Sequence, residues 1–168
     1  IEEAKNWIHF LEQIDINAYL MVTPIYSKPG KMGQYHWFKE LMDLSTKPVM
    51  LYNVPSRSGT SLNIEAVKDL RDHNNFWAIK EASGSVADFK EYVAAGGKVF
   101  SGDDAMTSDF CNVGGAGLIS VAANIWPKQT ALYVEQCLNK SLKDKQLWVD
   151  CSHSLFSNGN PVTPKRLM

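Results

Sequence analysis

The sequence predicts an α/β fold, a (β/α)8 TIM barrel of which about five of the eight βα units are present. Three observations lead there. Short, near-continuous apolar runs alternate strictly with amphipathic stretches, as in a parallel sheet covered by helices. Polar side chains suited to chemistry fall just after these runs: Thr23 and Tyr26, Tyr52 and Arg57, Lys80, Gly102 and Asp103, Ser120 and Asn124. Function gathered at the C-terminal ends of several strands is the barrel arrangement. Finally, no G-x-G-x-x-G follows any run, which counts against a doubly wound dinucleotide-binding sheet.

In chain order, Ile1–Glu12 has helical period, with Ile1, Ala4, Ile8 and Leu11 on one face. Neither a methionine nor a capping residue precedes it, so it reads as a chain beginning inside a helix. Ala18–Val22 is a strand ended by Thr23-Pro24, and Met32–Leu44 a helix with Trp37, Leu41 and Leu44 at helical spacing. Pro48–Asn53 is the second strand, stopped by Pro55, and Asn63–Arg71 a helix with Ser61 as its expected cap. Phe76–Lys80 is the third strand, and Val86–Ala95 a helix closed by Gly96-Gly97. Lys98–Ser101 is the fourth strand, Ala105–Val113 a helix, and Leu118–Ala122 the fifth strand. Trp126–Asn139 and Leu142–Phe156 are two helices with no strand between them. A complete barrel needs about 250 residues. The expected organisation is therefore a partial barrel over 1–125, then the last barrel helix and the start of a C-terminal helical region over 126–168.

The composition is globular, with 45% hydrophobic and 21% charged residues and a formal net charge of -1. Without a Lys/Arg cluster, neither a nucleic acid nor an anionic membrane is an expected partner. No apolar stretch approaches the ~20 residues of a membrane span. Cys111, Cys137 and Cys151 are odd in number and widely spaced, which points to a reducing, cytoplasmic location.

Lys80 carries the most chemical information. It ends the apolar run Phe76-Trp-Ala-Ile-Lys80, where burial favours the neutral amine over the ammonium. A neutral lysine amine facing a cavity is the nucleophile that forms Schiff bases with carbonyl substrates. The bland alternative is a lysine that snorkels to solvent. Tyr52 ends the second strand, where its hydroxyl is either a proton shuttle or a satisfied core group. Arg57 is expected on the loop that follows, between Pro55 and Gly59, and its planar fork suits a substrate carboxylate. Gly114-Gly-Ala-Gly117 lacks the following Lys-Ser/Thr of a phosphate loop and precedes a strand, so a helix cap and turn is the expectation. Asp103-Asp104 reads as a helix N-cap rather than a metal site. His9, His36, His73 and His153 are dispersed, and none is assigned a catalytic role.

Together the segments Tyr52-Asn-Val-Pro-Ser-Arg-Ser-Gly59, Ile79-Lys-Glu-Ala-Ser-Gly84, Ser101-Gly-Asp-Asp104, Gly117-Leu-Ile-Ser-Val121 and Asn160-Pro161 resemble one family. It is the dihydrodipicolinate synthases, now called 4-hydroxy-tetrahydrodipicolinate synthases, which are pyruvate-dependent lyases on a (β/α)8 barrel. The resemblance covers essentially the whole chain. It implies that Lys80 forms an imine with pyruvate, that Tyr52 relays protons, and that Arg57 holds the carboxylate of aspartate 4-semialdehyde. It further implies that the Ile119 backbone carbonyl and Gly102 line the substrate pocket. Tyr26 matches a tyrosine that crosses a tight-dimer interface into the neighbouring site. Members are usually homotetramers and use no metal or organic cofactor.

The resemblance also marks departures. The family's first three βα units, with their Gly-Thr-Thr-Gly-Glu segment, have no counterpart here, and the chain stops where the family's C-terminal helices continue. Ile25 stands where lysine-inhibited members have tyrosine, so feedback by lysine is not expected. The nearest alternatives are a related pyruvate lyase acting on N-acetylneuraminate or a keto-deoxy-sugar acid, and a non-catalytic fragment.

Overall fold

Four short parallel strands, each followed by helix, frame the computed structural model, which describes residues 1–168. The order is α1 (Glu2–Leu11), β1 (Tyr19–Val22), α2 (Lys31–Leu44), β2 (Val49–Asn53), α3 (Pro55–Ser58), α4 (Ile64–Leu70), β3 (Phe76–Glu81), α5 (Val86–Ala94) and β4 (Lys98–Ser101). After these come α6 (Thr107–Asn112), a 3-10 turn (Ala122–Asn124), α7 (Pro127–Leu138), α8 (Gln146–Leu155) and α9 (Val162–Leu167). The strands pair in sequential order β1-β2-β3-β4. Parallel crossovers are right-handed, so a sheet that advances in one direction collects its helices on one face. That is an arc of a (β/α)8 barrel, not a doubly wound sheet whose order reverses at a switch point.

Strand alternation divides the sheet into two chemical faces. In register across the strands, Met21, Leu51, Ile79 and Val99 lie side by side, and all four are buried. They turn toward the helices and join Phe38, Leu41, Met42, Val67, Leu70 and Phe89 in the main core. Phe89 of α5 and Phe110 of α6 stack there with centroids 4.3 Å apart. One residue further along, Val22, Tyr52, Lys80 and Phe100 occupy the opposite face in the same register. These four are only partly covered.

The buried face ends in a polar network. Glu81, fully buried at the end of β3, accepts a hydrogen bond from Asn53 Nδ2 at 2.6 Å and one from the Ser83 N–H at 2.6 Å. Asn53 Oδ1 accepts from the Leu62 N–H at 2.8 Å, and the Tyr92 hydroxyl donates to the Leu62 carbonyl at 2.5 Å. Burial pushes the Glu81 carboxyl up, against the downward pull of the bonds from Ser83 and Asn53. Both carboxylate oxygens face donors, and Asn53 is committed by its other end. A Glu81→Gln change therefore sets an amide N–H₂ against a donor. The expected cost is about 1–3 kcal/mol, read as a lower denaturation midpoint with an unchanged slope.

The structure corrects several sequence expectations. The fifth strand, expected over Leu118–Ala122, is reduced to one parallel bridge between Ser101 and Leu118. Its ladder bonds fall earlier, from Ala116 N to Val99 O, Ser101 N to Gly117 O and Ile119 N to Ser101 O, each at 2.8 Å. The chain then turns because the Asp104 carboxylate takes the N–H groups of Val121 and Ala122. The cap of α4 is Asn63, whose side chain accepts from Glu65 N and Ala66 N; Ser61 does not serve. The segment carrying Arg57 is a single helical turn, not a loop, with Pro55 at its start and Gly59 at φ 74° closing it. No helix is long and apolar enough to cross a membrane.

Candidate active site

Lys80 and Tyr52 are direct register partners on adjacent parallel strands, so their side chains leave the same face side by side. The Lys80 Nζ lies 4.4 Å from the centroid of the Tyr52 ring, within cation–π range. Burial pushes the Lys80 amine below its ordinary range; Asp104 pulls it up again, and Arg57 adds to the depression. Burial likewise pushes the Tyr52 phenol up, with Arg57 opposing. The pair thus combines an amine released toward its neutral form with a hydroxyl that keeps its proton.

Both residues line a cavity of about 410 Å³. Arg57 and Ser56 reach it from α3, and the turn that carries them is anchored by Ser58 Oγ donating to the Val54 and Thr60 carbonyls at 3.1 and 2.7 Å. Gly102 and Asp103 form the wall beyond β4. A Cβ on Gly102 would lie 2.8 Å from the Ala82 Cβ and 2.9 Å from the Lys80 Cε. A glycine is therefore needed here so that the lysine can run past the strand end. Asp103 Oδ1 accepts from Ala105 N at 2.9 Å and Met106 N at 3.2 Å, turning the chain into α6. Asp104 does not share that capping role, contrary to expectation: its carboxylate binds Ser120 Oγ and the following turn.

Of the residues singled out from the sequence, Lys80, Tyr52, Arg57 and Gly102 meet around this one cavity. Ile119 sits beside the end of β4, where its N–H donates to the Ser101 carbonyl, and it is not among the lining residues. Tyr26 lies outside the cavity, 92% exposed and at φ 73°. The far wall comes from residues that sequence reasoning passed over: His153 and Phe156 at the end of α8, and Asn160 beyond it. Only the Asn160-Pro161 pair offered a signal for that wall. His153 offered none, because a lone histidine on an amphipathic helix has no marker of where the helix docks. No group of three or more His, Cys, Asp or Glu is placed to hold a metal ion.

Chemically, the cavity offers one amine nucleophile, one phenolic proton donor and one guanidinium. This set is suited to carbonyl condensation with an anionic substrate.

A model of the Dihydrodipicolinate synthetase family matches residues 1–168. A 4-hydroxy-tetrahydrodipicolinate synthase from Wolbachia pipientis wMel is 45% identical over 99% of this chain and 57% of its own length. The crystal structure of dihydrodipicolinate synthase from Aquifex aeolicus superposes with a TM-score of 0.91 at 27% identity, over 98% of this chain and 59% of that one. The chloride-inhibited dihydrodipicolinate synthase from Acinetobacter baumannii complexed with pyruvate superposes with a TM-score of 0.87 at 30% identity, with the same coverage. The chain thus spans 57% of the length of the curated relative it matches.

Proposed function

The chain belongs to the Dihydrodipicolinate synthetase family, and on that premise we propose that it carries the imine-forming half of a pyruvate-dependent lyase. The reaction condenses pyruvate with aspartate 4-semialdehyde to 4-hydroxy-tetrahydrodipicolinate. The observation that supports it most is the Lys80 amine, held against the Tyr52 ring in a cavity that also receives Arg57. The Lys80 amine adds to the ketone of pyruvate and water leaves, giving a protonated imine. Loss of a methyl proton from that imine yields an enamine, the protonated nitrogen having served as electron sink. The enamine carbon attacks the aldehyde, whose oxygen gains a proton from the tyrosine relay. The amine of the new product then displaces the lysine as the ring closes. Arg57 binds the carboxylate of the semialdehyde, and Gly102 and the Ile119 carbonyl border the pyruvate.

Tyr26 belongs to the relay of a neighbouring copy in a tight dimer within a tetramer; its exposure outside its own cavity supports this. The working location is the cytoplasm.

The test is borohydride reduction in the presence of pyruvate, on the protein that carries this sequence in full. One pyruvate-derived adduct mapping to Lys80 is expected. An adduct elsewhere moves the nucleophile to another lysine and removes the role of Lys80, and no adduct leaves the non-catalytic alternative.

Arg57 separates this reading from a lyase for sugar acids. Arg57→Ala removes a charge-assisted contact of about 1.5–3 kcal/mol, so KM for the semialdehyde should rise roughly 10- to 100-fold while pyruvate trapping persists. Equal loss of both would remove the role given to Arg57, and cleavage of N-acetylneuraminate by the unsubstituted protein would transfer the assignment to the sugar-acid lyases.

A further inference from the structure

Helix α8 presents His153 to the cavity from a fixed base. The Trp148 indole N–H donates to the Asp104 carbonyl at 2.9 Å, and its ring stacks on Tyr133 of α7 with centroids 4.3 Å apart. Ser152 and Leu155 of the same helix are buried. His153 and Phe156, three residues apart and so neighbours on one helix face, line the cavity that Lys80, Tyr52 and Arg57 also line. The His153 ring enters no hydrogen bond or ion pair within the protein. His73 differs: its Nε2 lies 3.0 Å from Asp43 Oδ1, and its Nδ1 accepts from the Asn75 N–H at 3.1 Å. His153 is exposed at the cavity, which leaves its ring nitrogens for a ligand there.

We infer that His153 is a catalytic residue for ring closure, taking a proton from the substrate ammonium before that nitrogen attacks the imine carbon. This rests on the Schiff-base reading above. Aspartate 4-semialdehyde brings three groups into the cavity: an aldehyde for the enamine, a carboxylate for Arg57, and an ammonium. An ammonium has no lone pair, so it must lose a proton before it can displace Lys80. The other lining groups do not suit that step. Lys80 is bonded in the imine, Arg57 stays cationic, and burial favours the protonated Tyr52 phenol. Ser56 and Asn160 offer a hydroxyl and an amide, which bond a proton donor without taking its proton. Asp103 commits Oδ1 to the start of α6, and a carboxylate beside an ammonium favours the charged form. Imidazole takes up a proton and returns it near neutral pH. The protons balance. One passes from the ammonium through the imidazole to Nζ, a second moves from the ring nitrogen to Nζ, and the third is lost to water. The new C–N bond forms, the C–Nζ bond breaks, and Lys80 leaves as its ammonium.

The experiment compares His153→Gln and His153→Ala with the unsubstituted protein that carries this sequence in full, by turnover and by mass of the borohydride-trapped adduct. Trapping of pyruvate alone at Lys80 in the unsubstituted protein tests the Schiff-base reading separately, and both variants should match it. With the semialdehyde, turnover should fall by about 10²–10⁴-fold, the usual contribution of a positioned acid or base. The condensed but unclosed product should then stay on Lys80, and quenching should trap it as a heavier adduct. Free imidazole should restore part of the turnover in His153→Ala. 4-Oxobutanoate, the same aldehyde without its amine, condenses but cannot close the ring. Its heavier adduct should form at the unsubstituted rate in both variants. The proposal is overturned if turnover falls less than about tenfold, if 4-oxobutanoate condensation slows equally, or if imidazole restores nothing. Should one variant fail to fold, the adducts of the other decide.

Discussion

Lys80→Ala should abolish the pyruvate adduct and drive turnover down on the order of 10⁶-fold, the scale that follows deletion of a covalent nucleophile. The reason is local. Tyr52, Arg57 and His153 reach the same cavity, but none of them supplies an amine that can condense with a ketone and be displaced afterwards. The side chain is partly covered and lies over the Tyr52 ring, so truncation opens space without removing a core contact between the sheet and its helices. The variant should therefore keep its circular dichroism spectrum while trapping falls to background. A trapped adduct persisting in Lys80→Ala would move the nucleophile to another lysine.

Tyr52→Phe should be the second largest loss. The ring that faces the Lys80 nitrogen is retained, and only the hydroxyl is lost. Burial pushes the phenol up and so favours its protonated form, and in the proposed reaction that hydroxyl gives and regains a proton as the ketone oxygen departs and the new alkoxide forms. A positioned general acid of this kind contributes typically about 10²–10⁴-fold. The expected result is a drop of that size in kcat, with KM for pyruvate little changed. If KM rises and kcat holds, Tyr52 binds substrate and moves no proton.

Sequence reasoning reached most of the fold through periodicity. The apolar runs at 18–22, 48–53, 76–80 and 98–101 lie on the four strands of the sheet, because a parallel strand covered on one face by helices has few positions for polar residues. Reading failed where pairing depends on a competitor for the backbone. Val121 has a strand former's side chain, but its N–H is taken by the Asp104 carboxylate, a contact across 17 residues of sequence that no local pattern announces. The turn that carries Arg57 looks like a loop in sequence because a single helical turn is too short to show a period.

For the site, the sequence by itself determined which groups are available. It supplied an amine at the end of one buried strand, a phenol at the end of its neighbour and a guanidinium on the turn that follows, all compatible with the family whose model matches the chain. Those choices are legible because strand ends and turn residues are local. Only the tertiary structure decided what surrounds them. Register put Tyr52 beside Lys80 rather than one residue away, which would have faced it into the helices. Packing of α8, whose Trp148 indole donates to the Asp104 carbonyl, brought His153 to the cavity, and the end of β4 set Gly102 against the lysine stem. These are contacts between segments far apart in the chain, and their geometry comes from how helices and sheet close over a shared core.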